Sequence, residues 1–178
     1  MARGASGLHG MARGPFSNFR FQVRFSPDVT PPRTGADNSV ADAGFADVIG
    51  LEANVELTPV QEGGRWVGVR QLVGRTTHPN LTFKRGLTSN LELWRWFTNV
   101  SRGVHPVARK SIVIELLDVD ITVAPPNNVV ARWTAVRAVP VKMRCSDLSG
   151  KGGTELAIEE LQVAHEGIEI DLSVGAQG

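Results

Sequence analysis

Thr76-Thr77-His78-Pro79-Asn80-Leu81-Thr82-Phe83-Lys84-Arg85-Gly86-Leu87-Thr88-Ser89-Asn90-Leu91-Glu92-Leu93-Trp94-Arg95-Trp96-Phe97-Thr98-Asn99-Val100 changes its period partway along. From Asn80 to Lys84 it alternates, with Leu81 and Phe83 on one face and Asn80, Thr82 and Lys84 on the other, as in a half-buried strand. Gly86 breaks the alternation. Ser89 and Glu92 then stand three apart, the spacing of a capping box, in which hydroxyl and carboxylate each satisfy an orphan backbone donor at a helix start. The predicted helix, about 89–102, puts Leu93, Trp94, Phe97 and Val100 on one side. Arg95, Thr98, Asn99 and Arg102 face outward, and Gly103 is its stop. Phe83, Trp94 and Phe97, with Ser89 and Glu92 as the cap, are therefore the expected structural core.

Outward from this stretch no other segment sustains a helical period, so one helix must cover a sheet made by the rest. Asn18 to Phe25 predicts a first strand, with Phe19, Phe21, Val23 and Phe25 inward and Arg20, Gln22 and Arg24 outward. Ser26 to Gly44, rich in Pro, Asp and Gly, reads as a long surface loop. Phe45 to Leu57 and Arg65 to Val73 are strand-like runs around a turn-rich tip, Thr58 to Gly64, which predicts an extended hairpin over about 52–70. Further strands are expected at Ser111 to Asp118, Val129 to Val139, Val141 to Cys145, Thr154 to His165 and Ile168 to Leu172. Many strands and one helix, without alternating strand–helix units, predict a mainly β (α+β) fold. Its expected form is a small antiparallel β-barrel or sandwich flanked by one helix, a single domain over 16–174 behind a flexible arm over 1–15.

Composition narrows the function classes. With 19 basic and 18 acidic residues the net charge is +1, so no overall field draws the chain to nucleic acid or an anionic membrane. No run approaches the roughly 20 apolar residues that span a bilayer, and the arginine-bearing start lacks the apolar stretch of a secretory signal. The lone Cys145 has no disulfide or cluster partner; it reads as a small buried hydrophobe in a protein made in a reducing compartment.

Catalytic constellations are not found. His9, His78, His105 and His165 show no ligand spacing, which leaves metal and cofactor sites without support. Ser149 to Thr154 resembles a phosphate loop, but Cys145 stands where the pattern needs glycine, and the lysine lacks a following Ser or Thr. Glu155 and Glu159 share a strand face and read as solvated or interfacial rather than catalytic. Trp96, two residues from Trp94, is expected to be exposed beside Arg95 as a contact residue. Arg75, Lys84 and Arg85 suit phosphate or glutamates of a neighbouring subunit. The hairpin residues Glu52, Pro59, Gln61, Glu62, Gly63, Gly64 and Arg65 complete the candidate interface, since so long a ribbon buries little by itself.

Four separated motifs in register carry a family resemblance: Gly74-Arg75-Thr76, Pro79 to Thr88, Leu93-Trp94-Arg95-Trp96 and Leu161-Gln162-Val163-Ala164-His165-Glu166-Gly167. Over roughly Phe16 to Leu172 the chain resembles the tail-tube proteins of contractile phage tails and related extracellular injection systems. The long 26–44 loop departs from that family, whose first two strands are joined more tightly. The resemblance implies a structural subunit and no enzyme: hexameric rings stacked into a hollow tube, with cargo or DNA in the lumen. It also implies partners in a sheath protein, a baseplate hub or spike and tube-terminating proteins, and a particle made in a bacterial cytoplasm. The chain is expected to be either the bulk tube subunit or the first ring on the baseplate. The alternative from another class is a small β-barrel module binding nucleic acid or a ligand, which a basic aromatic face would support and this composition does not.

Overall fold

The computed structural model describes residues 18–27, 44–61, 63–64, 68–118, 129–148 and 156–171. Their strands are β1 (Phe21–Pro27), β2 (Asp47–Ile49), β3 (Asn54–Val60), β4 (Arg70–Thr77), β5 (Leu81–Gly86), β6 (Lys110–Leu117), β7 (Val129–Cys145), β8 (Ile158–Ala164) and β9 (Gly167–Asp171), with one helix, α1 (Glu92–Ser101). All pairings are antiparallel. One sheet runs β1-β6-β7-β9 and the other β7-β8-β5-β2, so β7 belongs to both. The result is a sandwich of two sheets joined through one strand, and not a closed barrel. β3 and β4 form a separate two-stranded ribbon.

β7 changes sheets at a bulge. Between the pairs Ile112–Ala135 and Lys110–Ala138 its side carries one residue more than β6. Arg137 takes it up at φ 53°, a conformation a non-glycine residue adopts only where the surroundings fix it. Pro140, without an N–H, precedes a second register shift. Val129 to Val139 and Val141 to Cys145, expected as separate strands, are thus one bent strand.

Alternation supplies the core. Val23 and Phe25, Ile112 and Ile114, and Ala135 and Ala138 of the first sheet face Leu81 and Phe83, and Leu161 and Val163, of the second. Leu93 and Trp96 of α1 complete the cluster. Phe25 is the hub, with ring centroids 5.8 Å from Phe45, 5.5 Å from Phe83 and 6.0 Å from Trp96.

Several boundaries differ from the sequence reading. Phe19 is exposed, because β1 pairs with β6 only from Phe21 onward. The run Phe45 to Leu57 divides at Gly50, where φ is 100° and a Cβ would stand 2.6 Å from the Asn80 carbonyl oxygen. Its first part, β2, joins β5; its second becomes β3. Cys145 is half-buried rather than fully enclosed. The predicted loop and turn at 28–43 and 124–128, the segment 149–155 and the arm over 1–15 lie outside the described residues.

The helix corrects two expectations. The Ser89–Glu92 box does not form, and α1 begins at Glu92. Asn90 acts instead: its Oδ1 accepts from the Glu92 N–H at 3.0 Å, while Arg85 Nη2 donates to its carbonyl oxygen at 3.0 Å and holds it in place. The buried stripe is Leu93 and Trp96, with Val100 packed beside it, so Trp96 is core, only 4% exposed, and Trp94 and Phe97 are half-buried. Each tryptophan goes where its N–H finds an acceptor: Trp96 Nε1 donates to the Ala108 carbonyl at 2.6 Å and Trp94 Nε1 to Glu159 at 2.8 Å. At the other end Gly103, at φ 70°, donates to Val100 O while Val104 donates to Asn99 O, closing the last turn.

Trp96→Ala is expected to destabilise the fold by about 3–5 kcal/mol as a large-to-small core change. Trp94→Ala should cost about 1.5–3 kcal/mol through its hydrogen bond to a charged group. Urea unfolding of the two variants checks the order, and a larger loss for Trp94→Ala would reverse the helix faces.

Candidate assembly surfaces

Among the described residues, the β3–β4 ribbon has neither a covering layer nor a third strand. Every position in β4, and all of β3 except Val60, is exposed. Leu57 lies opposite Val73, and Val55 opposite Thr76 across a register shift, so Val55, Leu57 and Val73 give the ribbon an apolar surface. At the shift Gly74 eases the close approach of the two arms, since a Cβ there would stand 3.0 Å from the Glu56 carbonyl oxygen. Pro59 pairs with Gln71, one position before the ladder ends at Val60 and Arg70; Gln61, Gly63 and Gly64 lie beyond it, and Glu62 and Arg65 lie outside the described residues. Glu52 and Arg75 are exposed on the ribbon's two arms.

Backbone contacts of two histidines fasten the ribbon's root. His165, in the β8–β9 turn, sets Nδ1 3.1 Å from Gly167 O and Nε2 3.1 Å from Pro79 O. His78 sets Nδ1 3.3 Å from Glu52 O, and the two rings lie 5.6 Å apart. Burial lowers the pKa of His165; the two carbonyls oppose this and the charge of His78 adds to it. Read one at a time along the chain, these histidines were unrelated. The antiparallel β5–β8 pairing brings them together, and among the described residues no group of three or more metal-binding side chains accompanies them.

Arg85 does not reach a neighbouring subunit. It is 1% exposed, and its Nε donates to Oε1 of Glu159, itself only 2% exposed and not solvated. Trp94 holds the other carboxylate oxygen. Parity already pointed inward for both: Arg85 shares a face with Leu81 and Phe83, and Glu159 with Leu161 and Val163. Arg85 also lies over the Phe45 ring, 5.8 Å from its centroid, while its Nη1 is buried without a hydrogen-bond partner. Lys84 points the other way. On the outer face of the second sheet the paired residues Asp47, Lys84, Glu160 and Arg144 alternate in sign across four strands, an arrangement that favours cross-strand neighbours.

The outer face of the first sheet has its own polar centre. Glu115 is 2% exposed beneath Gln22, Arg24 and Arg132; Arg132 Nε donates to it at 2.7 Å and also reaches Asp171 at 3.4 Å. Burial works to raise the Glu115 pKa, but hydrogen bonds from Arg132 and Gln22 and the charge and hydrogen bond of Arg24 outweigh it, holding it below the ordinary 4.5. At the start of β6, beside α1, burial lowers the Lys110 pKa, partly offset by Glu92, and its ammonium sits 5.0 Å from the Trp96 ring centroid. Among the described residues no helix is long and apolar enough to cross a membrane.

Among the described residues, a two-sheet sandwich closed by one helix, with its buried carboxylates paired to arginines and an exposed apolar ribbon, defines a building block. The chain belongs to the family described as T4-like virus tail tube protein gp19, whose model matches residues 17–169. Solved structures agree. A chain in the cryo-EM structure of the anti-feeding prophage baseplate, 6-fold symmetrised, superposes with TM-score 0.71 at 25% identity, covering 90% of this chain and 97% of that one. A chain of the extended PVC sheath–tube complex, an extracellular contractile injection system, gives 0.66 at 18% identity over 89% and 92%. A chain of the PVC sheath/tube terminator gives 0.69 at 18% over 90% and 99%. No curated protein matches.

Glu159→Gln should cost about 3–5 kcal/mol, because it strands a buried guanidinium. Replacing the pair together, Arg85→Met with Glu159→Leu, should recover most of that in urea melts; no recovery would mean that packing rather than charge sets the loss. For Glu115 the folded pKa is depressed, so its contribution is fully present above about pH 4.5 and is lost as pH falls through the folded value. Thermal melts from pH 7 to 3 should show a shallower acid loss for Glu115→Gln than for the parent.

Proposed function

We propose that this chain is a non-enzymatic structural subunit of the inner tube of a contractile phage tail or contractile injection particle. Subunits join into hexameric rings, rings stack into a hollow tube, and cargo or DNA passes through the lumen. The observation that carries this reading is the β3–β4 ribbon of a tail-tube family member, in which Leu57 and Val73 pair on a surface left exposed among the described residues. An isolated two-stranded ribbon is marginal in water. Its form is useful only where a neighbour receives it. β1, β2 and β9 leave backbone groups on their outer sides among the described residues, and ring closure is one way to satisfy such edges.

A sheath around the tube, a baseplate hub or spike at one end and a terminating protein at the other are the proposed partners. The similar structures, a sheath–tube complex, a sheath/tube terminator and a baseplate, support that set. The protein is made in a bacterial cytoplasm and acts in the particle. A second reading, the specialised first ring on the baseplate, is favoured by one observation: the baseplate chain shares 25% identity, against 18% for the sheath–tube chain.

Negative-stain microscopy of the purified protein tests the reading. Rings or tubes are expected, and a monomer at high concentration with no recruitment by baseplate proteins would overturn it. Replacing Pro59 to Arg65 by an Asn-Gly turn should leave the circular dichroism unchanged and abolish long tubes while rings survive; normal tubes would remove the ribbon from the inter-ring contact.

A further inference from the structure

Two histidines stand where the β3–β4 ribbon meets the sandwich, and the structural role proposed for the chain uses neither. Among the described residues the ribbon's arms pair only with each other, so its attitude to the sandwich is set at its root. His165, in the β8–β9 turn, reaches that root through Nε2, 3.1 Å from Pro79 O, while its Nδ1 lies 3.1 Å from Gly167 O. His78, on the link from β4 to β5, sets Nδ1 3.3 Å from Glu52 O on the link from β2 to β3. One ring ties the turn to the root and the other ties the root's two arms. Their centroids are 5.6 Å apart, with the planes at 51°.

All three partners are carbonyl oxygens, which accept a hydrogen bond but carry no charge. A neutral imidazole has one N–H, so neutral His165 bonds one of its two carbonyls and the protonated ring bonds both. Against that one added bond stand a full charge in a half-buried site and a second imidazole beside it. The surrounding charges give no relief. Glu166, next along the turn, is engaged by Arg109 at 3.1 Å and by Arg137 at 3.0 Å. Glu52 is exposed and meets His78 through its backbone, and Arg75, further along β4, is exposed and has the sign of the charged rings. Among the described residues no carboxylate pairs with either ring. Burial is the largest influence on His165, and with the charge of His78 it outweighs the two carbonyls, so the neutral form is favoured.

We propose that His78 and His165 form a pH-sensitive clasp at the root of the β3–β4 ribbon, closed while the rings are neutral and released in mild acid when both carry charge. Two imidazolium rings at this separation repel without a counter-ion, and the repulsion acts between the β8–β9 turn and the base of β4. The ribbon is then freed from the sandwich while the sandwich itself stays folded. Because the folded pKa of His165 lies below the ordinary 6.5, the clasp's contribution is fully present above about pH 6.5 and is lost as pH falls through the folded value. The clasp belongs to the single subunit and does not depend on ring formation.

Two measurements on the full chain test this: histidine titration by NMR, in solution or on sedimented assemblies, and amide hydrogen exchange at about pH 8 and about pH 5, corrected for the chemical exchange rate. In the parent, β3 and β4 should lose protection on acidification while β5 and β8 keep theirs. The root's opening constant should rise by up to about tenfold for every pH unit between the ordinary and the folded pKa of His165. His78→Gln should move the His165 pKa up, since it removes the charge beside it. His165→Gln keeps an uncharged donor toward Pro79 O and should make the ribbon's protection equal at both pH values. Equal ribbon protection at both pH values in the parent, a His165 pKa at or above 6.5, or the same acid loss in His165→Gln would each overturn the clasp.

Discussion

The ion pair between Arg85 and Glu159 ties together the elements that the rest of the fold leans on. It joins β5 to β8 from inside the core, and through Nη2 it fixes Asn90, whose side chain caps α1. Through Glu159 it also anchors Trp94. Buried pairs of this kind are weak evidence of net stability, because desolvation offsets much of the attraction. Their consequence here is geometric. A charge buried at the junction of two strands and a helix start tolerates few alternative arrangements, and α1 is set at one rotation over the open side of the sandwich.

That rotation decides which tryptophan is enclosed. With Glu159 holding the Trp94 indole at the rim, the next turn drives Trp96 onto Phe25, and its N–H is satisfied by Ala108. The aromatic core and the buried charge are therefore one arrangement. On the outer faces of the sandwich, Glu115 is covered from above by arginines and the row across the second sheet alternates in sign. Among the described residues, the ribbon side chains Val55, Leu57 and Val73 remain exposed.

The bend in β7 is the other constraint. One strand serving two sheets replaces a crossover and lets a chain of this size enclose a core with a single helix. Its cost is a non-glycine residue at positive φ and a proline inside a ladder, tolerated because both sit at register shifts rather than in regular pairing.

Local patterning determined the mainly β class, the half-buried strand at Leu81 to Gly86, the helix after it, the Gly103 stop and the free-standing hairpin, because period and turn chemistry are properties of a few adjacent residues. The four spaced motifs determined the family. Parity also contained the inward direction of Arg85 and Glu159, but a charge on an apolar face reads as interfacial until its partner is seen, and that partner lies on another strand. Only the tertiary structure decided that Asn90 rather than Ser89 caps the helix, that Trp96 is core and Trp94 rim, and that His78 meets His165. The tryptophan and histidine contacts depend on neighbours distant in sequence and the Asn90 cap on Arg85 across the Gly86 turn, and helical or strand periodicity carries no record of such partners.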